Sequence, residues 1–460
     1  MTGLATIILA GGKGTRMKSS LVKVLHPIMG KPMLSYPIEA SFEGLDADKT
    51  VVVVGHQLES VQKTFSKDPL TFVSQQPQLG SGHAVLCTEK VFRGYDGTIL
   101  ILCGDVPLVR PETLTELVAF HRHEGATLTV VTTRLSDPRG YGRVVRGKSE
   151  QIEKIIEEKD ASPREKELDE VNTGLYCAEA SFLFPGLRKV ETNNRQGEYY
   201  LTDLVEIGWE EKQRILAFEV PESDQFLGIN TRVDLARAHD IVGNRHLQRW
   251  MLDGVTIIDP KTTYIETDVT LGKDTVIHPN CVIQGKTAIG RQCVVGPHCL
   301  ITNSQIDDGV TLRAFSVIEE SRIGRGAIVG PFSRIRPQSQ IFENAQVGNF
   351  VEINKSSIGK GSKAKHLAYI GDATLGEKVN IGAGTIFCNY DGFEKHPTIV
   401  GDGVFVGSNA ELIAPVKIGD DAIIAAGSTI TRDVPAKSLA VSRINQKNVA
   451  QWRDRRLKKK

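Results

Sequence analysis

Aromatic residues make up only 6% of this 460-residue chain, and net charge is almost absent, with 56 Lys and Arg against 55 Asp and Glu. A protein that grips nucleic acid over its whole surface carries a basic excess, so that class is excluded. No apolar run reaches the roughly 18 residues of a membrane span. The seven cysteines, Cys87, Cys103, Cys177, Cys281, Cys293, Cys299 and Cys388, are odd in number and form no CxxC pair. That pattern argues against a disulfide framework or a zinc site and for a reducing compartment, so a cytoplasmic location is expected. The opening MTGLATIILAGGKGTRM has no basic region ahead of its apolar stretch and reads as a first strand, not a signal peptide. Hydrophobic residues at 40% and charged residues at 24% exclude disorder of the whole chain.

What the chain does have is glycine, 44 residues unevenly spread. Residues 4–228 alternate short β-branched runs with amphipathic stretches. Strands are predicted over 6–9, 51–54 and 98–102, and helices over 33–45 and 111–123, the latter opened by Pro111-Glu112. Such alternation implies a mostly parallel sheet covered on both faces, with ligands beyond the C-terminal strand ends. Residues 231–250 carry apolar residues at helical spacing and read as one linking helix. The expected organisation is therefore a domain over 1–229, a helical linker over 230–252 and a second domain over 253–460.

From Leu271 the period becomes six. Aliphatic residues recur through Ile277, Ile283, Ile289 and onward to Ile430, filling 25 of 27 slots, with Ala364 and Phe387 the exceptions. Neither a helix nor a simple strand gives that period; it is the hexapeptide signature of a parallel β-helix, about nine coils at three hexads each. Small residues follow four places after the aliphatics, and Cys281, Cys293 and Cys299 fall in that class, as packing residues inside corners. The series is interrupted over 389–396 (NYDGFEKH), which reads as an extruded loop. The tail RDRRLKKK reads as a solvated, basic terminus.

Chemistry concentrates in a few segments. Leu9-Ala10-Gly11-Gly12-Lys13-Gly14-Thr15-Arg16-Met17 follows a strand directly. Three glycines in four residues let backbone N–H groups approach an anion closely, and Lys13 and Arg16 add charge. Lys23 follows seven residues later. The segment is neither a Walker A loop nor a dinucleotide fingerprint. Gly104-Asp105 ends a strand where a carboxylate could hold Mg²⁺, with Asn230 as a second oxygen ligand.

The stretch from Leu9 to Pro32 resembles the signature of sugar-1-phosphate nucleotidyltransferases, with Val22 where that family usually has proline. Gln75, Gly80 and Ser81 lie in a segment similar to the family's uracil-contacting block. Gly140, Glu157 and Asn172 lie in segments similar to its sugar-binding strands. With a hexapeptide β-helix behind it, the chain resembles over nearly its whole length the bacterial bifunctional N-acetylglucosamine-1-phosphate uridylyltransferase/glucosamine-1-phosphate acetyltransferase family.

That resemblance implies an α/β Rossmann-like nucleotidyltransferase domain followed by a left-handed parallel β-helix of hexapeptide repeats, in a homotrimer. It implies UTP, N-acetylglucosamine-1-phosphate, glucosamine-1-phosphate and acetyl-CoA as substrates, Mg²⁺ on Asp105 and Asn230, and a cell-envelope precursor as product. In the first domain it assigns Arg16 and Lys23 to catalysis. It assigns Leu9, Ala10, Gly11, Gly12, Gln75, Gly80, Ser81, Gly104, Asp105, Gly140, Glu157, Asn172 and Asn230 to the nucleotide and UDP-sugar. In the second domain it makes His366 the general base. Arg336, Asn354, Tyr369 and Asn380 would hold the sugar phosphate, and Ala383, Asn389, Tyr390, Ser408, Ala426 and Arg443 acetyl-CoA. Asn354 stands where the family usually has lysine, with Lys355 one place later and facing the other way along a strand. Lys365 replaces a small residue before the histidine, a like charge that would lower its pKa. Two other readings stay open: a single-activity nucleotidyltransferase whose β-helix only oligomerises or regulates, and a non-catalytic assembly subunit that keeps both folds.

Overall fold

The computed structural model describes residues 3–457 apart from 46, 56 and 148–150. The chain divides into two compact units, Met1–Val242 and Gly243–Lys460. The division falls inside one continuous helix, Arg232–Leu252, which the amphipathic spacing over 231–250 predicts to within two residues.

The first unit is built on a nine-stranded sheet. Its main path runs Ile215–Glu219, Leu128–Arg134, Glu170–Glu179, Gly97–Cys103, Gly3–Ala10, Lys49–Val54, Leu70–Ser74. All neighbours pair in parallel except Glu170–Glu179, which runs antiparallel to both strands beside it. A hairpin of Arg143–Arg146 and Ile152–Ile156 extends from that strand. Alternate residues of the central strands enter different cores. Ile7, Val51, Val53, Ile99 and Ile101 fill one, and Ile8, Val52, Val54, Leu100 and Leu102 the other. A strand buried on both faces has no polar side to show, which is why these runs read as uninterrupted Val, Ile and Leu.

The helix predicted over 33–45 is shorter, Ser35–Phe42. The N–H groups of Met33 and Leu34 already donate to His26 O and Val24 O at 2.9 and 3.0 Å, so helical bonding begins after them. Its far end stops at Glu43, which is extended, just before Gly44 turns left-handed.

The second unit is a three-faced prism. Its parallel sheets contain 11, 10 and 9 very short strands. One interior column runs Ile257, Ile277, Val295, Leu312, Val329, Val347, Ala364, Ile381, Val406, Ile424. Each is the inward residue of its strand, all buried in one continuous core. The prism begins two slots before Leu271, at Ile257 and Ile265, which complete one coil with it. Between them the short 3-10 turn Pro260–Thr262 breaks the count. It ends on an extra rung at Leu439–Ala440.

The corner cysteines are small buried fillers. The Cys281, Cys293 and Cys299 thiols donate to Gly296 O, Asp307 O and Arg313 O at 3.1, 3.2 and 3.2 Å, each a carbonyl of the following coil. Burial pushes the Cys299 thiol up to about 12.

The prism's stability rests on its inward slots. Ile335→Ala, at a fully buried position, should lower unfolding free energy by about 3 kcal/mol. Arg334→Ala, exposed and one residue away, should change it by less than about 0.5 kcal/mol; urea denaturation of the two variants checks the contrast.

Candidate active sites

Parallel pairing brings the C-terminal ends of Gly3–Ala10, Lys49–Val54, Leu70–Ser74 and Gly97–Cys103 to one edge. The chain order reverses between the strands ending at Ala10 and Cys103, and a crevice opens at such a switch point. Gly104 N donates to Leu9 O at 2.9 Å there, seating the Gly-Asp turn against the glycine loop. Ile229 N donates to Asp105 O at 2.9 Å, which draws the distant Asn230 into the same place. The result is a convergence. Lys23, almost fully buried, donates its ammonium to Asp105 Oδ2 and, at 3.2 Å, to Asn230 Oδ1. Gly14 is left-handed at φ +62, and a Cβ there would lie 2.7 Å from that of Lys23. The glycine is thus what lets the loop fold over the lysine.

Asp105 and Asn230 meet on a single cationic nitrogen, and both are hard oxygen donors. That is the donor chemistry a small divalent cation takes, so the residues fit such an ion. Among the described residues no group of three or more His, Cys, Asp or Glu is placed to hold a metal.

The rest of this edge is arranged around the loop. Gln75 is buried and donates Nε2 to Gly80 O at 2.8 Å, and a Cβ on Gly11 would lie 2.9 Å from its Oε1. Gly80 has φ +110, and a Cβ there would strike Tyr199 O. Ser81 Oγ accepts from Leu201 N at 3.0 Å. Lys13 and residues Gln75 to Gln78 line a cavity of about 460 Å³. Gln78, missed in the sequence, donates to Gly11 O and holds the loop from that side. A second cavity of about 590 Å³ has Arg16, Gly140, Tyr141 and Asn230 in its wall.

Glu157 is partly buried, and that burial holds its carboxyl above the usual range; Thr202 Oγ1 donates to it at 3.3 Å. Asn172 donates to Tyr176 Oη at 2.7 Å and accepts from Gly174 N at 3.0 Å, so its amide is fixed in one orientation.

In the second unit, the corner after the first sheet carries the histidine. His366 ends the strand Lys363–His366, opposite Asn349 one coil below. It is exposed, as its slot in the hexad predicts, and its Nδ1 lies 3.2 Å from Asn349 Oδ1. An amide oxygen accepts only, so Nδ1 is the donor and, in the neutral ring, Nε2 keeps the lone pair. The same corner continues upward coil by coil. Gly384 N donates to Leu367 O, Asn409 N to Ala383 O and Gly427 N to Ser408 O, at 2.9, 2.8 and 2.8 Å. Arg443 then donates to Ala426 O at 2.6 Å. Ala383, Ser408, Ala426 and Arg443 thus form one column leading away from His366. Below it the same corner carries His298, Phe315, Phe332 and Phe350, stacked ring on ring at centroid distances of 4.7, 4.8 and 5.3 Å.

Arg336, Asn354, Tyr369 and Asn389 belong to the next face. Asn354 is buried and donates to Tyr369 Oη at 3.4 Å, and Asn389 donates to Asp372 Oδ2 at 2.6 Å. Arg336 is paired with Glu352 at 3.0 Å. Lys355 does not take the place of Asn354: it is left-handed and exposed, with Nζ 4.0 Å from Asp372. Asn380 lies on the first face, in register with Lys363. The 389–396 segment is a self-braced loop, closed by a Tyr390–Lys395 bridge. In it the Asp391 carboxylate accepts from Glu394 N, Phe393 N and His396, which holds it well below the usual range.

Residues 5–242 match the family model described as nucleotidyl transferase, residues 265–339 that of the GMPPB C-terminal domain, and residues 397–432 that of the bacterial transferase hexapeptide repeats. Bifunctional protein GlmU of Pelobacter propionicus is 49% identical over the full length of both chains. Those of Trichlorobacter lovleyi and Shouchella clausii are 48% and 47% identical, over 97% of this chain and 97% and 98% of theirs. The chain belongs to the bifunctional GlmU family. It is accordingly an enzyme of UDP-N-acetylglucosamine synthesis, a uridylyltransferase joined to an acetyltransferase. The GlmU match spans both units, which sets aside the single-activity and non-catalytic readings.

Near the first site of this GlmU chain, Asp203 is pushed up to about 6 by burial and by the carboxylates of Glu206, Glu157 and Asp160. Its ordinary value is 3.8. Its raised pKa therefore costs stability progressively as pH rises from about 4 to about 6, and in full above that. Asp203→Asn should stabilise the protein at about pH 7.5 by on the order of 1 kcal/mol, partial solvent exposure limiting the gain. The gain should vanish near pH 4; thermal melts at the two pH values check it.

Proposed function

We propose that the two units carry out consecutive steps, the acetylated sugar phosphate released by the second being the substrate of the first. The observation that carries the first half is the meeting of Lys23, Asp105 and Asn230 at the rim of a glycine loop. There a phosphate oxygen of N-acetylglucosamine-1-phosphate attacks the α-phosphorus of UTP in line, and pyrophosphate leaves. The protein's part is positioning and charge neutralisation. Leu9, Ala10, Gly11 and Gly12 supply close backbone, Arg16 holds the triphosphate and Lys23 neutralises the reacting phosphates. Gln75, Gly80 and Ser81 take the uracil end, Gly104 lines the turn, and Gly140, Glu157 and Asn172 face the sugar. Asp105 and Asn230 would hold Mg²⁺, which when bound adds positive charge among the phosphates.

In the second unit the free Nε2 of His366 takes a proton from the amine of glucosamine-1-phosphate. The nitrogen bonds to the thioester carbon of acetyl-CoA, and the coenzyme's sulfur leaves. Arg336, Asn354, Tyr369 and Asn380 hold the sugar phosphate. Ala383, Asn389, Tyr390, Ser408, Ala426 and Arg443 take acetyl-CoA along the corner column.

The active assembly is a homotrimer. His366, Asn380 and the column lie on one face and its corner, while Arg336, Asn354, Tyr369 and Asn389 lie on the adjacent, diverging face. A pocket using both sets needs a neighbouring prism to close it. The half-exposed rings of Phe315, Phe332 and Phe350 beside His366 give that neighbour an apolar surface to cover. A cytoplasmic location fits this reading, since the free cysteines suit a reducing compartment.

Purified protein given acetyl-CoA, glucosamine-1-phosphate, UTP and Mg²⁺ should release thiol and pyrophosphate, each followed separately. His366→Ala should lower thiol release by at least about 100-fold with uridylyl transfer from supplied N-acetylglucosamine-1-phosphate near normal. Asp105→Ala should do the reverse. Loss of both activities in either variant contradicts the two-site reading. Light scattering should give the mass of three chains, and Phe332→Glu should lower it together with thiol release.

A further inference from the structure

The sugar side of the uridylyl site contains a buried cation with no role in the mechanism above. Arg143 opens the strand Arg143–Arg146 and is 1% exposed. Its guanidinium donates Nη1 to Tyr141 O and lies with Nη2 2.8 Å from Glu158 Oε2. It therefore grips two segments at once. The first is the Gly140–Gly142 turn, whose Gly140 sits at φ +89. The second is the end of the neighbouring strand, where Glu157 is the residue next to Glu158. The third strand is attached to the same point, since Asn172 N donates to Gly142 O at 2.9 Å and Val171 pairs with Arg143. Gly142 itself is bare where a Cβ would come within 3.7 Å of the Glu157 carboxyl. The three groups assigned to the sugar thus stand on three segments that meet here, two of them held by the guanidinium and the third by backbone pairing to the same turn.

We propose that Arg143 is a positioning residue for the sugar-phosphate substrate of uridylyl transfer, acting through the Gly140 turn, Glu157 and Asn172 without touching the substrate. The proposal rests on the reading that those three residues face the sugar. The planar guanidinium keeps one N–H on the Tyr141 carbonyl while a second nitrogen faces the Glu158 carboxylate as an ion pair, an arrangement a lysine ammonium on a flexible stem does not reproduce. Small displacements of binding groups are enough to change rates strongly.

The test uses the full-length enzyme and measures KM for N-acetylglucosamine-1-phosphate and for UTP, kcat, and acetyl transfer. Arg143→Met should raise the sugar-phosphate KM by on the order of tenfold to a hundredfold. KM for UTP should stay within about twofold and acetyl transfer should be unchanged. Arg143→Lys, which keeps the charge but not the fork, should fall between wild type and Arg143→Met. Glu158→Gln, a milder change that keeps the shape, should raise the same KM by about threefold and stands in should Arg143→Met not fold. Asn172→Ala reports on the underlying reading. If it raises the sugar-phosphate KM while Arg143→Met and Glu158→Gln do not, the positioning role is overturned and the reading survives. If Asn172→Ala leaves that KM unchanged, the reading and the proposal fall together. A parallel rise in both KM values in the Arg143 variants also overturns the proposal, because it marks general loosening of the unit.

Discussion

Parallel strand pairing is the constraint on which both halves of this enzyme rest. Strands that run the same way place equivalent residues at the same level, and every C-terminal end arrives at the same edge. In the first unit that rule delivers the loops after Ala10, Ser74 and Cys103 to one rim. In the second it repeats with each coil, so any feature of a corner becomes a column. One unit uses the rule to gather different residues at a point, and the other to spread related residues along a line.

The two geometries suit different substrates. A compact cluster of cation and carboxylate, Lys23 against Asp105 and Asn230, suits chemistry at phosphorus, where charge must be neutralised in a small volume. An extended corner, from His366 through Ala383, Ser408 and Ala426 to Arg443, fits the long thioester co-substrate proposed for it, whose reactive end lies at one place and whose remainder needs only a track. The single hydrogen bond between His366 and Asn349 is enough to define which imidazole nitrogen is basic.

Much of this was legible in the sequence because it is periodic or local. The six-residue repeat predicted the prism, and the continuous aliphatic runs predicted strands buried on both faces. The glycine loop and Asp105 could be read because each ends or follows a strand, and Lys23 through its spacing from that loop in the signature that runs to Pro32. What escaped reading depended on contacts between distant segments. The first slot, Ile257, was hidden by the 3-10 turn between it and Ile265. The antiparallel direction of Glu170–Glu179 was not legible either, since direction leaves no mark on a buried strand. Gln78 and Arg143 carry no sign of burial or contact in the sequence itself, and only the fold shows one clamping Gly11 and the other enclosed between strands. The partition over two faces of the residues proposed for acetyl transfer was equally invisible, because hexad position gives direction within a coil but not which neighbour a face will meet.

The prism's construction also makes it modular along its axis. Each coil is bonded only to the coils before and after it, and its inward residue fits a column in which Val, Ile and Leu interchange. Excising one complete turn of three hexads well below Asn349 would lower everything above it by a single strand spacing, roughly 4.8 Å, and leave the histidine corner internally the same. Length in this half of the molecule is therefore an adjustable dimension, independent of the acetyl-transfer chemistry it supports.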